Sequence, residues 1–272
     1  MNRFVKTLIV AIAIIAINGC AKEIDFSAAP NNKNCNLTVL QTDLGVLGNL
    51  EIKFIYNTEG KLIKAVNGTD FTDYSYVTNK ITAVDQDGDV GEINLTNGRA
   101  TNSKYTYTGS SDNETKIYTY NAEGYIVLVK SYANGVLDLT SELSYTNGNL
   151  TQSKTTYEVD GSIEITKHEY TGNVAKTVYE LFDPLSNYVD YFPGNYFGKV
   201  SKNILAKTSS IYSASNGVKL RDDVITYTYQ FNSSGYSTTT TLSQLMNYYH
   251  ADGSVSSSDT YATNFNSTYS CK

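Results

Sequence analysis

The stretch Tyr120-Asn121-Ala122-Glu123-Gly124-Tyr125-Ile126-Val127-Leu128-Val129 decides the fold. An aromatic ends one strand, an Asn opens a turn, and a Gly supplies the left-handed residue before a new β-prone run begins. The run Tyr125 to Val129 is apolar throughout, which suits a strand buried between layers. The same unit returns as Tyr56-Asn57-Thr58-Glu59-Gly60 and Phe231-Asn232-Ser233-Ser234-Gly235.

Working outward, a shorter turn chemistry fills the spaces between these units. Asn-Gly stands at 67–68, 97–98, 134–135, 147–148 and 216–217, and Asp-Gly at 87–88, 160–161 and 252–253. Both dipeptides tolerate the positive φ that tight hairpins require. Between turns, segments such as Tyr105-Thr106-Tyr107 and Tyr227-Thr228-Tyr229 alternate with period two, in residue types that suit a pleated surface. One turn signal every ~20 residues predicts hairpins with strands of about eight to ten residues. The expected fold is all-β: an antiparallel meander of about a dozen strands, barrel-like or strongly curved, forming a single domain over 35–272.

One stretch breaks the pattern. Residues 180–207 hold two of the three prolines and no Asn-Gly or Asp-Gly turn. Asp183 before Pro184 fits an N-cap with proline at the first helical position. Leu185, Tyr188, Val189 and Phe192 follow at helical spacing. One or two helical turns are expected, ending at Pro193-Gly194, with Asn195-Tyr196-Phe197-Gly198 as an ordered loop. This short insert, near 183–207, could cover an open end or face of the sheet.

The amino terminus reads as an address. Arg3 and Lys6 precede an uncharged apolar run from Thr7 to Ile17, far shorter than the ~20 residues a spanning helix needs. Residues 1–19 are therefore expected to be a signal peptide. Ile17-Asn18-Gly19-Cys20 resembles the lipobox of bacterial lipoproteins, which implies acylation of Cys20. Residues 20–34 would then form a lipidated tether, and stable anchoring by more than one acyl chain needs no spanning segment. Ala21-Lys22-Glu23-Ile24-Asp25 resembles the short charged surface-export signals of Bacteroidetes-type lipoproteins. With Cys20 acylated, Cys35 and Cys271 remain, one at each end of the folded region, and in an oxidising compartment they are expected to pair as a disulfide.

The lipobox, the Tyr-Asn-x-x-Gly hairpins and the central interruption Asn195-Tyr196-Phe197-Gly198-Lys199-Val200-Ser201-Lys202-Asn203 together resemble an uncharacterised family of Bacteroidetes-type lipoproteins whose domain is described as porin-like. The resemblance covers roughly residues 36–272. It implies a barrel-like architecture and carries no activity, ligand or catalytic residue. The hairpin unit alone is loosely similar to the tyrosine-aspartate repeats of large bacterial surface and toxin-shell proteins. A lipid-spanning barrel does not fit the residues. From Asn149 to Tyr157 one face reads Leu150, Gln152, Lys154, Thr156 and the other Thr151, Ser153, Thr155, Tyr157, and neither suits hydrocarbon.

Composition narrows function further. The 272 residues carry a formal net charge of −6, and removing residues 1–19 takes two basic residues away. Without a basic stripe to neutralise phosphates, no nucleic-acid partner is expected. His168 and His250 are the two histidines; neither sits in a catalytic motif, and each reads as a surface residue, His168 sharing a strand face with Tyr170. No cofactor is expected. Asp85, Asp87 and Asp89 have the alternating spacing of a calcium loop, but Val90 stands where such a loop requires glycine. The chain has 24 Tyr and no Trp. Cross-strand pairing accounts for many of these rings, and Tyr188, Tyr191, Tyr196 and Phe197 in the insert are the candidates for stacking against a ligand such as a sugar. The expected function is non-catalytic binding or scaffolding, for a glycan or a partner outer-membrane protein, by a lipid-anchored protein of the cell envelope, facing the surface or the periplasm. The alternative is a glycoside hydrolase or lyase using acids such as Glu180 or Asp190.

Overall fold

Sixteen strands follow one another as an antiparallel meander that closes on itself into a barrel. The structure is a computed structural model and describes residues 35–43, 48–172, 183–189 and 195–271. The segments read as signal peptide and tether, Cys20 included, lie outside the described residues. The strands are β1 (Cys35–Asp43), β2 (Asn49–Tyr56), β3 (Leu62–Asn67), β4 (Asp70–Val77), β5 (Lys80–Asp85), β6 (Val90–Thr96), β7 (Arg99–Thr106) and β8 (Asn113–Tyr120). They continue as β9 (Ile126–Ala133), β10 (Val136–Thr146), β11 (Asn149–Tyr157), β12 (Ile163–Tyr170), β13 (Leu205–Ser213), β14 (Lys219–Phe231), β15 (Ser237–Tyr249) and β16 (Val255–Cys271).

All eleven turn signals fall at strand connections. Thr96 pairs with Arg99, leaving Asn97 and Gly98 between them at φ 52° and 75°, the conformation a two-residue hairpin of matching twist demands. Asn134 and Asn147 do the same at φ 51° and 53°. In the longer turn, the Asn121 side-chain oxygen accepts from the N–H groups of Glu123 and Tyr125 at 3.1 and 3.0 Å. Asn57 and Asn232 repeat this arrangement. The expectation of about a dozen strands falls short of sixteen because some hairpins turn without a signal dipeptide. Val77 pairs with Lys80 around Thr78-Asn79, and β7 reaches β8 through Thr108-Gly109-Ser110.

Alternation along the strands sorts residues by face. In β2, Leu50, Ile52 and Phe54 are buried while Lys53 and Ile55 are exposed. Apolar side chains from β1–β4 and Phe265 of β16 form one interior cluster. Those from β5–β11 form a second, joined by Leu185 and Phe197 of the insert. Over β12–β15 many inward residues are polar, Thr166, His168, Thr208, Asp223 and Thr240 all being buried, beside the apolar Leu205, Ile225 and Leu242. The outer face carries exposed charges along the strands, among them Lys104, Glu142, Lys167 and Glu169. Ion pairs between neighbouring strands lie there too, Lys64–Asp73 at 3.0 Å and Lys207–Glu169 at 3.2 Å. The apolar run at the start of β9 is not sandwiched between layers. Ile126 and Val129 point inward, while Val127 and Leu128 are half-buried on a single-layered wall.

The seam joins the first strand to the last. Residues Cys35–Thr42 of β1 pair with Phe265–Cys271 of β16, and the rest of β16 pairs with β15 alone among the described residues. Cys35 is buried and is the register partner of Cys271, so the bond expected between them would lock the barrel shut at the seam of its first and last strands. Alkylation of the denatured, non-reduced chain is expected to label neither residue. Reduction is expected to lower the unfolding free energy by about 2–4 kcal/mol. Labelling of both thiols before reduction would refute the bond.

Candidate functional site

One rim of the barrel is built around tyrosines. The phenol hydroxyls of Tyr56, Tyr76, Tyr120, Tyr170 and Tyr229 donate to the carbonyls of Leu37, Leu62, Ala100, Leu150 and Leu205 at 2.7–2.9 Å. Each tyrosine lies near the end of an even-numbered strand, and each carbonyl near the start of the strand before it. The ring fills interior volume and the hydroxyl satisfies a rim carbonyl. Burial pushes the phenols of Tyr76, Tyr120, Tyr170 and Tyr229 well above the usual tyrosine range.

The insert between β12 and β13 closes this rim. Asp183 caps a single 3₁₀ turn, Pro184–Asn187, so the expected cap is present and the turn is tighter than an α-helical one; its expected end at Pro193-Gly194 lies outside the described residues. Both carboxylate oxygens of the buried Asp183 are engaged, one by the Leu185 N–H at 2.8 Å and the other by the Ser201 N–H at 2.9 Å. Burial raises its pKa while these N–H bonds oppose the rise. A second 3₁₀ turn covers Asn195–Phe197. The chain after it is stitched to neighbouring hairpins: Lys199 N–H to Gly124 O at 3.0 Å, Lys202 N–H to Gly148 O at 2.9 Å, and Asn203 N–H to Asn149 Oδ1 at 2.8 Å. The aromatic insert is a plug and not a surface platform. Phe197 is buried edge-on against Tyr118 at 5.1 Å between ring centres. Tyr196 packs on the same cluster, and Tyr188 donates to Ser153 Oγ from inside the barrel. Tyr191 lies outside the described residues, as do Glu180 and Asp190.

Above the plug the lumen holds a cavity of about 500 Å³. Tyr188, Tyr227, Ile225 and Leu242 form its lower wall, and Ser141, Thr155, Thr166 and Ser210 line its middle. Those hydroxyls pair across strands, Ser141 with Thr155 and Thr166 with Ser210, each at 2.9 Å. Toward the other rim stand Lys116, Tyr157, Glu164 and Asp223. Arg221 bridges the two acids, 3.5 Å from Glu164 and 3.0 Å from Asp223. The Tyr157 hydroxyl donates to Glu164 at 3.2 Å and the Gln244 amide to Asp223 at 3.2 Å. Apart from Tyr188, sequence reasoning missed these residues. They come from seven strands spread over more than a hundred positions, and no local motif links them.

Two other sequence candidates take structural roles. One Asp85 oxygen accepts from the N–H groups of Asp87 and Asp89 at 3.0 and 2.9 Å, and Asp89 accepts from the Thr108 N–H at 2.7 Å. The carboxylates of this Asp-Gly turn cap backbone groups. No group of three acidic, His or Cys side chains is placed to hold a metal ion among the described residues. His168 is buried inside the barrel, contrary to the expectation of a surface residue. Its Nδ1 lies 3.2 Å from Thr208 Oγ1, and its Nε2 has no partner among the described residues. Burial lowers its pKa to about 4.

In fold, the chain is similar to a porin-like protein from Bacteroides uniformis known from a crystal structure. The TM-score is 0.59 and the sequence identity 15%, over 86% of this chain and 95% of that one. The porin-like architecture implied by the sequence resemblance is thus the architecture present. No protein-family model matches the chain, and no curated protein sequence matches it.

Gly198 tests the docking of the plug. Its φ is +82°, and a Cβ there would run into Gly124 O and lie 2.9 Å from the Tyr120 ring. Gly198→Ala is expected to cost about 2–4 kcal/mol in denaturant unfolding, from backbone strain and overlap together. Gly217→Ala, at φ +83° with nothing within 4 Å, should cost only about 1–3 kcal/mol. Equal losses would show that the plug contact contributes nothing.

His168 makes stability depend on pH. Its folded pKa, about 4, lies below the unfolded value, so the unfolded chain binds more protons between the two. Stability from this group is complete above about pH 6.5 and falls as pH drops toward 4, by up to about 3 kcal/mol. Unfolding curves at pH 7.5 and 4.5 should therefore differ less for His168→Gln than for the parent chain. An unchanged difference would refute the assignment.

Proposed function

We propose that the chain is a lipid-anchored, non-catalytic protein of the bacterial cell envelope whose barrel stays in water and binds a small ligand in its lumen. The polarity of the wall carries this reading. A membrane-spanning barrel needs an outward apolar band about 25 Å tall, and each Lys or Arg at its midplane costs about 2–4 kcal/mol. Here Lys104, Glu142, Lys167 and Glu169 are exposed along the outer face while Leu40, Ile52, Ile93 and Leu150 are fully buried inside. Exposed Ile55, Ile117, Ile165, Ile211 and Leu245 share the outer face with these charges, and an apolar band interrupted in this way does not suit hydrocarbon.

Membrane attachment must then come from outside the barrel, and acylation at Cys20 would supply it. The short segment Ala21–Asp25 supports exposure at the cell surface. Inside the barrel, the plugged rim and the cavity above it form a one-ended vessel of a size typical of ligand sites, ~300–1,000 Å³. The insert thus serves the reading as a floor, and the ligand enters from the other rim.

Cys20→Ala is expected to move the protein from the membrane fraction to the soluble fraction while leaving its unfolding transition unchanged. Retention of the variant in the membrane pellet, resistant to salt and carbonate washes, would overturn the anchor and the water-facing barrel together.

A further inference from the structure

We infer that the lumen accepts a neutral saccharide of one or two rings, entering from the unplugged rim. This rests on the lumen-binding reading above and adds the chemical class of the ligand.

Charge balance comes first. Lys116 and Arg221 stand against Glu164 and Asp223 near the mouth, and Arg221 contacts both acids. The acid at the floor, Asp183, has both oxygens occupied by backbone N–H groups. Two cations thus face two acids near the mouth, and the remaining acid is turned to backbone groups in the floor, so the lumen presents no cluster of positive charge to select an anion and no free carboxylate pair to select a cation.

The wall is also layered in polarity. At the bottom, Tyr188 and Tyr227 present rings beside Ile225 and Leu242. Above them the Ser141–Thr155 and Thr166–Ser210 pairs set four hydroxyls at mid-height. Each paired hydroxyl keeps acceptor capacity. A purely apolar ligand would strip water from this belt and replace it with nothing. A sugar ring has the matching character, an apolar C–H face for the tyrosines and a rim of hydroxyls for the belt. Its outermost hydroxyls would meet the carboxylates of Glu164 and Asp223, whose four oxygens have acceptor sites beyond those used by Arg221, Tyr157 and Gln244.

The test is calorimetric titration of the full chain, held in a polyoxyethylene detergent that contains no sugar. The probes are glucose, galactose, N-acetylglucosamine, maltose and cellobiose, set against glucuronate, inorganic phosphate and indole. At least one neutral sugar should bind with millimolar or tighter affinity. Ser210→Phe, which places a ring in the cavity, should abolish that binding, and Asp223→Asn should weaken it at least tenfold. Lys167→Ala, on the outer face, should leave it unchanged. If Ser210→Phe does not fold, Asp223→Asn still reads the site. Sugar binding that survives both variants places the ligand elsewhere and overturns the inference. Glucuronate, phosphate or indole binding that Ser210→Phe blocks refutes the ligand class while preserving lumen binding. No binding by any probe at 10 mM overturns the inference.

Discussion

A barrel closed from sixteen strands encloses more space than the side chains of one wall readily fill; barrels of this size in membranes leave an aqueous channel. Filling that interior is the constraint on which the rest of the structure depends. Over β1–β11 it is met by ordinary apolar residues, with Leu40, Ile52, Ile93, Ile126 and Leu150 completely withdrawn from water. The remaining volume at one rim is taken up by tyrosine rings and by a segment of chain folded inward.

Tyrosine suits this rim better than phenylalanine because strand ends leave carbonyls near the interior that need donors. The phenol reaches across one hairpin to donate to such a carbonyl, and its ring does the filling. The five bonds recur at the same place in the β1–β2, β3–β4, β7–β8, β11–β12 and β13–β14 pairs, which gives much of the tyrosine a structural basis. It also explains why the insert has the sequence it has. Gly198 must pass close under the β8–β9 turn, and Ser201 and Asn203 must bond to the hairpin at Asn149-Leu150.

Much of this was legible because it is local. Positive φ at Asn97, Asn134 and Asn147 follows from dipeptide chemistry, and the Asp183 cap from two adjacent residues. Closure had one sign in the sequence, the expected pairing of Cys35 with Cys271, which are register partners at the seam; the period-two pattern itself carries no trace of so distant a contact. The strand count fell short where turns such as Thr78-Asn79 use no glycine. His168 shows the limit of alternation. Its strand parity with Tyr170 was read correctly, but period two tells only which residues share a face, not which face is inside. Ile165 and Lys167 on the opposite face gave no stronger apolar signal. The insert aromatics were legible only in part, because an aromatic cluster has the same sequence whether it is a platform or a plug: Tyr188 lines the cavity, while Tyr196 and Phe197 pack in the core. The cavity had no signal at all, being assembled from single residues of many strands.

The polar arc from β12 to β15 is the part of the interior that filling alone does not require. Leucine or valine at Thr166, Thr208 and Ser210 would occupy similar space without a hydroxyl to satisfy. The hydroxyls there are tolerated because they pair with one another, Thr166 with Ser210 and His168 with Thr208. Paired in this way they are close to neutral for stability, while an apolar core would be favourable. A barrel under selection for stability alone would extend its apolar clusters around the whole ring. Instead the larger cluster stops at β11, and the hydroxyl-rich arc beyond it faces the cavity, so the break in the apolar core coincides with the space that the core leaves unfilled.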